Sequence, residues 1–242
     1  MITAVRLPDS IEAATTCAAG GGWIMGGGTI VMAQVNTGAV AATELISLRK
    51  AGVSGIRRDG GVVRIGAMTT FAEIEEAPEP AFLHGAVHTI ASPVIRSLAT
   101  VGGNLFVPQP YGDFAVCLLA LDATVEIAGP GGLRQAPVET VLTEGVATGE
   151  FVTAVLVPRP ADGTWFHHKA MRRRLNSAAI VARYCVASMC SATSGSTIRF
   201  FGMRSALRSK ALPISGNNPS APTITISGEA VVRPRNGAAT LA

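Results

Sequence analysis

The chain has 242 residues, 48% hydrophobic and 15% charged, which suits one or two domains of roughly 100–200 residues each and excludes a disordered polymer. No apolar run approaches the roughly 20 residues that span a bilayer, and the longest, residues 116–125, is interrupted by Asp122. The net charge of +4 hides a split: residues 1–160 carry 9 Lys/Arg against 14 Asp/Glu, and residues 161–242 carry 11 against 2. This predicts two bodies with different electrostatic surroundings.

In chain order, Val5 and Leu7 alternate as a short strand, and Pro8-Asp9-Ser10 supplies cap chemistry for a helix from Ile11. Gly20-Gly21-Gly22 ends that helix, Trp23-Ile24-Met25 reads as a short strand, and Gly26-Gly27-Gly28-Thr29 follows before an apolar stretch to about Val35. Residues 44–48 suggest a strand or short turn. Residues 55–66, around Asp59-Gly60, read as a hairpin. Thr69-Thr70 begins a capped helix with Glu73 in its first turn. Helices are expected over residues 80–89, near 93–97 and over 114–121. Strands are expected over 123–128, 151–157 and 164–171, with Pro130-Gly131-Gly132 as a hairpin turn. Residues 177–189 are apolar, and a Ser/Thr/Pro/Gly-rich tail follows.

Two glycine-rich segments carry the chemistry: Gly26-Gly27-Gly28-Thr29 and Thr100-Val101-Gly102-Gly103-Asn104. Consecutive glycines permit positive φ and let successive main-chain N–H groups converge on an anion. A neighbouring Thr hydroxyl or Asn amide adds a neutral donor, so two such segments can grip a pyrophosphate without Lys or Arg. Neither matches G-x-G-x-x-G or G-x-x-x-x-G-K-[ST], so neither a Rossmann loop nor a P-loop is indicated. Taken singly, each is also compatible with an ordinary tight turn.

Ile24-Met25-Gly26-Gly27-Gly28-Thr29-Ile30-Val31 resembles the AGGTDL loop of the FAD-binding medium subunit of molybdenum hydroxylases. Ser97-Leu98-Ala99-Thr100-Val101-Gly102-Gly103-Asn104-Leu105, with Pro110-Tyr111-Gly112-Asp113 and Leu118-Leu119-Ala120-Leu121-Asp122-Ala123, resembles that family's VATIGGNL, P-x-GD and LLALDA motifs. The family includes the carbon monoxide dehydrogenase medium chain and the xanthine dehydrogenase FAD subunit. The resemblance implies an α+β fold: a two-subdomain FAD-binding fold of the vanillyl-alcohol-oxidase (PCMH) type over residues 1–160, with subdomains of about 1–55 and 56–160. A small α+β C-terminal domain, shortened or altered, would then occupy residues 161–242.

By the same resemblance, Ile24, Met25, Gly26, Gly27, Gly28, Thr29, Ile30 and Val31 wrap the FAD pyrophosphate together with Thr100, Val101, Gly102, Gly103 and Asn104. Asp113 would accept hydrogen bonds from ribityl or ribose hydroxyls, since a carboxylate only accepts. Val152 matches a position giving main-chain contacts near the flavin ring, Lys169 a lysine beside the cofactor, and Ile90 a side chain against the adenine or ring. Ile30 replaces the acid of AGGTDL, and residues 184–190 depart from the family's C-terminal pattern.

The implied function is a flavin-bearing oxidoreductase subunit. Non-covalent FAD takes electrons from the [2Fe–2S] clusters of a small partner and passes them to NAD or another acceptor. Molybdopterin sits on a large partner, and the assembly is a dimer of heterotrimers. The chain itself supplies no catalytic acid, base or nucleophile and no metal ligand set, and it has no nucleic-acid partner. Without an N-terminal apolar signal core and without a C-x-x-C pair among Cys17, Cys117, Cys185 and Cys190, a cytoplasmic location is expected. A flavin-free assembly subunit of the same fold and a stand-alone flavin oxidoreductase are the alternatives. His84 and His88 stand at helical i, i+4 spacing but lack a third ligand, so a pair engaged elsewhere is expected. Of His167 and His168, one is expected to face inward beside Lys169.

Overall fold

The computed structural model describes residues 2–39, 43–107, 112–162, 164–171 and 178–184. Cys185, Cys190 and most of the C-terminal domain expected over residues 161–242 lie outside these residues.

The first layer is a small parallel sheet in the order β1 (Ala4–Arg6), β3 (Glu44–Ser47), β2 (Trp23–Met25). Helix α1 (Ile11–Ala19) connects β1 to β2, and α2 (Val31–Asn36) precedes β3. The Ser10 side chain accepts the Ala13 N–H and starts α1. Ala14 and Ala18, one turn apart on α1, are buried against Ile46, Leu48, Val53 and Phe151. Small residues on that face let the helix lie close to the sheet.

The second layer is an antiparallel sheet in the order β4 (Ile56–Asp59), β5 (Val62–Gly66), β8 (Phe151–Pro158), β6 (Thr124–Gly129), β7 (Gly132–Pro137). Every residue of the central β8 except Leu156 and Pro158 is fully buried, which explains why it reads as an unbroken apolar run rather than an alternating one. The register shifts between Glu126 and Ile127 opposite β8, where Thr153 is the extra residue. On the opposite side of β8 the Thr153 carbonyl accepts the Ala67 N–H, which continues the pairing with β5 by one residue.

The larger core lies between this sheet and a helical layer. That layer comprises α3 (Phe71–Glu76), α4 (His84–His88), α5 (Pro93–Arg96), α6 (Val101–Leu105), α7 (Asp113–Ala120) and α8 (Val138–Glu144). Thr70 and Glu73 form a reciprocal capping box at α3. Phe71 and Phe114 meet edge to face with ring centroids 5.2 Å apart, and both are fully buried. A third sheet pairs β9 (Trp165–Met171) with β10 (Ala178–Tyr184).

The structure adds β7 and α8, which the sequence reading passed over, and divides the helix expected over residues 80–89 into a 3-10 turn, Ala81–Leu83, and α4. β7 is mostly exposed and carries no period-two apolar signal. No helix among the described residues is long and apolar enough to cross a membrane. Phe114→Ala removes one partner of the aromatic pair at the centre of the larger core. A loss of about 3–5 kcal/mol is expected in urea unfolding.

Candidate functional site

The site begins where β5 leaves its sheet. The chain from Ala67 to Phe71 runs alongside residues 99–102, joined by Phe71 N–H to the Ala99 carbonyl (3.1 Å), Val101 N–H to the Thr69 carbonyl (3.0 Å) and Gly102 N–H to the Ala67 carbonyl (2.8 Å). Thr70 and Thr100 form an antiparallel bridge. The second glycine segment is thus stitched to the main sheet through its backbone.

Its conformation corrects the expectation of an open loop. Residues 101–105 are a short helix, α6, whose first turn is capped by Thr100: its Oγ1 accepts the Gly103 N–H at 3.3 Å. Gly102 and Gly103 are not among the positive-φ glycines, so flexibility is not why glycine stands there. A Cβ on Gly102 would lie 2.8 Å from the Ala67 Cβ; this glycine is required by close packing against protein. Gly103 differs. Among the described residues, a Cβ there would meet only the Thr100 hydroxyl, at 3.0 Å.

The first glycine segment seats on the second. A Cβ on Gly26 would lie 2.6 Å from Thr100 Oγ1 and 3.8 Å from the Gly103 Cα, and one on Gly27 would collide with the Leu98 carbonyl. Gly28 alone of the three has positive φ, at 77°, and the chain turns there into α2. Among the described residues, none accepts the main-chain N–H of Gly27, Gly28 or Thr29. Two side-chain-free segments about seventy positions apart in the chain therefore abut, with unclaimed N–H groups along their junction. Ile24 and Met25 lie on β2, half-buried, and lead into this junction. Ile30, 39% exposed, and Val31 lead out of it.

Asn104 links α6 to the next element: its Oδ1 accepts the Ala115 N–H at 3.3 Å, which draws the start of α7 to the junction. Gly112, with φ of 97°, makes the turn that delivers Asp113 as the first residue of α7. The Asp113 Oδ2 accepts from Lys169 Nζ at 2.6 Å, and the same ammonium donates to the Thr89 carbonyl at 2.8 Å. Both side chains are largely buried, 16% and 14% exposed, so solvent screens this ion pair far less than a surface one. Lys169, Trp165 and His167 share one face of β9 by strand alternation, and the Trp165 indole N–H donates to the Phe82 carbonyl.

Val152 and Ile90 sit differently. The Val152 side chain is buried in the larger core and its backbone pairs with Ile127 beside the bulge. The Ile90 side chain is also in that core, 7% exposed, and its carbonyl accepts from Arg96. His84 bonds to the Ala77 carbonyl and His88 to Glu75, so the pair diverges. No cluster among the described residues is placed to hold a metal ion. Burial, assisted by the neighbouring Asp113 carboxylate, pushes the Cys117 thiol up to about 12, which leaves it a packing group rather than a nucleophile.

The sequence reading missed Arg96 and Glu75. Arg96 is buried, and its Nε donates to Glu75 Oε2 at 2.9 Å. A signal was present: Arg96 is the only Asp, Glu, Lys or Arg between Glu79 and Asp113, and a lone charge in an apolar stretch is a candidate buried group. A cavity of about 670 Å³ also opens beside Arg58, Phe82, Arg159 and Trp165. It includes none of the glycine-segment residues, and its arginines are offset by Glu79 and Asp162.

Gly27→Ala drives a methyl group into the Leu98 carbonyl, and an overpacking loss of at least about 1–3 kcal/mol is expected in urea unfolding. Glu75 gives a pH test. Its burial pushes the carboxyl up, but hydrogen bonds from Arg96 and His88 outweigh this and hold it below the usual carboxylate range. The folded state therefore binds this proton less tightly than the unfolded chain. The contribution is complete above the unfolded value and is lost as pH falls through the depressed folded one. Glu75→Gln is expected to lower the urea midpoint near neutrality and to flatten its decline toward about pH 3.

Comparison with known proteins places this geometry. Residues 2–160 match the family model described as the FAD binding domain in molybdopterin dehydrogenase. The carbon monoxide dehydrogenase medium chain of Afipia carboxidovorans is 29% identical over 175 residues, covering 68% of this chain and 60% of the relative. The nicotinate dehydrogenase FAD-subunit of Eubacterium barkeri is 30% identical over 166 residues, covering 63% and 56%. The structure of reconstituted CO dehydrogenase from Oligotropha carboxidovorans superposes with a TM-score of 0.68 at 27% identity, covering 75% of this chain and 69% of that one. The chain thus spans somewhat less than two thirds of the length of these curated relatives. With the family model matching most of its length and its solved relatives sharing the α+β architecture, the chain belongs to the FAD-binding domain family of the molybdopterin dehydrogenases.

Proposed function

We propose that this chain is the flavin-bearing, electron-transferring subunit of a molybdenum-containing hydroxylase or dehydrogenase, with FAD held non-covalently at the junction of the two glycine segments. The observation that carries the reading is that junction: Gly26 and Gly27 packed on residues 98–103, with the N–H groups of Gly27, Gly28 and Thr29 taken by no described residue. The residues present fit a pyrophosphate. Its oxygens are acceptors, and the junction offers main-chain donors with no Cβ to hold them at a distance. At Gly103, among the described residues, a Cβ would meet the Thr100 hydroxyl alone.

Bound FAD would supply the redox chemistry, taking up and releasing electrons singly or in pairs. The chain's own residues bind and orient. Thr100 holds the first turn of α6 in place, and Asn104 fixes α7 against it. Lys169 occupies one oxygen of Asp113, which leaves Oδ1 to accept from a sugar or ribityl hydroxyl. The Lys169 ammonium holds that carboxylate in one orientation. Val152 would contribute main-chain contacts, and Ile90 an apolar boundary. The residues that do this belong mainly to an FAD-binding unit over residues 1–160, but Lys169 lies just beyond it, so the start of a C-terminal domain over residues 161–242 would complete the site.

The names of the relatives, medium chain and FAD-subunit, support partners of the kind the resemblance implies. These are a small subunit with [2Fe–2S] clusters that delivers electrons, a large molybdopterin subunit, and NAD or another terminal acceptor. The exposed apolar side chains near the junction, Ile30, Met32, Leu98 and Phe106, suit a covered surface in such an assembly.

Titrating the chain with FAD is expected to give one equivalent of bound flavin, read by its absorption spectrum after gel filtration. Gly103→Val should reduce FAD occupancy strongly while lowering the urea midpoint of the flavin-free chain less than Gly102→Val does, since among the described residues its Cβ presses only on the Thr100 hydroxyl, 3.0 Å away. Gly102→Val should instead destabilise the flavin-free chain itself, because its side chain meets Ala67. Full FAD occupancy in Gly103→Val would overturn the assignment of the junction.

A further inference from the structure

Arg96 is a guanidinium in an apolar layer, 5% exposed, and its buried charge must be met by acceptors. It is met by Glu75 and by a loop. Nε donates to Glu75 Oε2 at 2.9 Å, and Nη1 faces the carbonyls of Ile90 at 2.9 Å, Ala91 at 3.3 Å and His88 at 3.4 Å. Glu75 is held in turn by His88 Nδ1 at 3.1 Å. The carbonyl of Thr89, within the same loop, is not part of this set; it accepts from Lys169 at 2.8 Å.

The loop between α4 and α5 is therefore gripped from two sides by two cations. Two of its carbonyls, with that of His88 at the end of α4, turn toward Arg96, and one turns toward Lys169. The backbone shows the constraint. Ala91 has φ of 48°, a left-handed conformation costly for a residue with a Cβ, and its carbonyl is one of those that Arg96 holds. The planar guanidinium suits this task because its donors are fixed in one fork.

We infer that Arg96 is a positioning residue for the cofactor site: by clamping residues 88–91 it aims the Thr89 carbonyl at Lys169, and through Lys169 it sets the Asp113 carboxylate. The inference rests on the FAD reading for its functional consequence, but the relay from Arg96 to Lys169 stands on geometry within the chain. Arg96 touches neither Lys169 nor Asp113 in any bond described; its influence passes through the main chain of Thr89.

A double-mutant cycle tests the relay in the 242-residue chain, with Arg96→Gln, Lys169→Met and the double variant compared for FAD dissociation constant and for thermal midpoint. Arg96→Gln is expected to weaken FAD binding about tenfold when Lys169 is present and less than about twofold when it is Met, a coupling typical of residues in one network. Equal weakening in both backgrounds overturns the proposal, since a general loss of packing acts regardless of Lys169.

A second readout needs no flavin. The rate at which Lys169 is acetylated by acetic anhydride in the flavin-free chain, measured by peptide mass spectrometry against exposed Lys50, should rise several-fold in Arg96→Gln. An unchanged rate overturns the relay. If the wild-type chain binds no FAD, the cofactor reading fails, and the relay is then judged by acetylation alone.

Arg96→Lys keeps the buried charge but loses the fork. It is expected to fold with a thermal midpoint near that of wild type and yet to show the raised Lys169 acetylation. Wild-type FAD affinity and wild-type acetylation in Arg96→Lys would overturn the proposal even if Arg96→Gln does not fold.

Discussion

The backbone seam between residues 67–71 and 99–102 is what every other feature of the site rests on. Its hydrogen bonds use main-chain groups on both sides, so it tolerates change in most side chains while fixing position. Through it the large sheet dictates where α6 starts, and residues 98–103 in turn present the surface on which Gly26 and Gly27 sit. Backbone pairing is directional and short-ranged, whereas apolar packing alone would let the two segments slide. The pyrophosphate grip proposed for this junction, made by neutral main-chain donors, needs the former.

The glycines divide by role in a way their spelling conceals. Gly28 and Gly112 serve the chain's need to turn, each with φ well inside the left-handed region. Gly27 and Gly102 serve close contact with neighbouring protein, Leu98 in one case and Ala67 in the other. Gly103, of the glycines in these two segments, has a helical backbone and, among the described residues, a Cβ there would press on nothing but the Thr100 hydroxyl, at 3.0 Å. Different physical demands thus appear as one repeated letter.

Electrostatics in this chain is sparse and local. The helical layer contains one deeply buried guanidinium, that of Arg96, and it is answered by Glu75 and by carbonyl groups. A few residues away in space, Lys169 and Asp113 answer each other across 56 positions of sequence. Both arrangements meet the cost of removing charge from water with hydrogen bonds rather than proximity alone. The consequence is that the end of α4 and the short loop after it, residues 88–91, are held by two cations through their main-chain carbonyls.

Much of this was legible from the residues alone. Ser10, Thr70 and the Asp59-Gly60 turn announce their elements because caps and tight turns depend on contacts a few positions apart. The two glycine motifs, Asp113 and Lys169 are picked out as a candidate site through their resemblance to a family, and the structure packs the two glycine segments together and pairs Asp113 with Lys169. The conformation of residues 101–105 was not legible, because two glycines disfavour a helix by propensity and only the Thr100 cap and the seam with Ala67 and Thr69 impose one. Nor was Arg96's role, since its partners come from α3 and from main-chain carbonyls that no residue letter encodes. Local chemistry writes itself into neighbouring positions; the meeting of Gly27 with Leu98, or of Lys169 with Thr89, exists only after the sheets have brought distant backbone together.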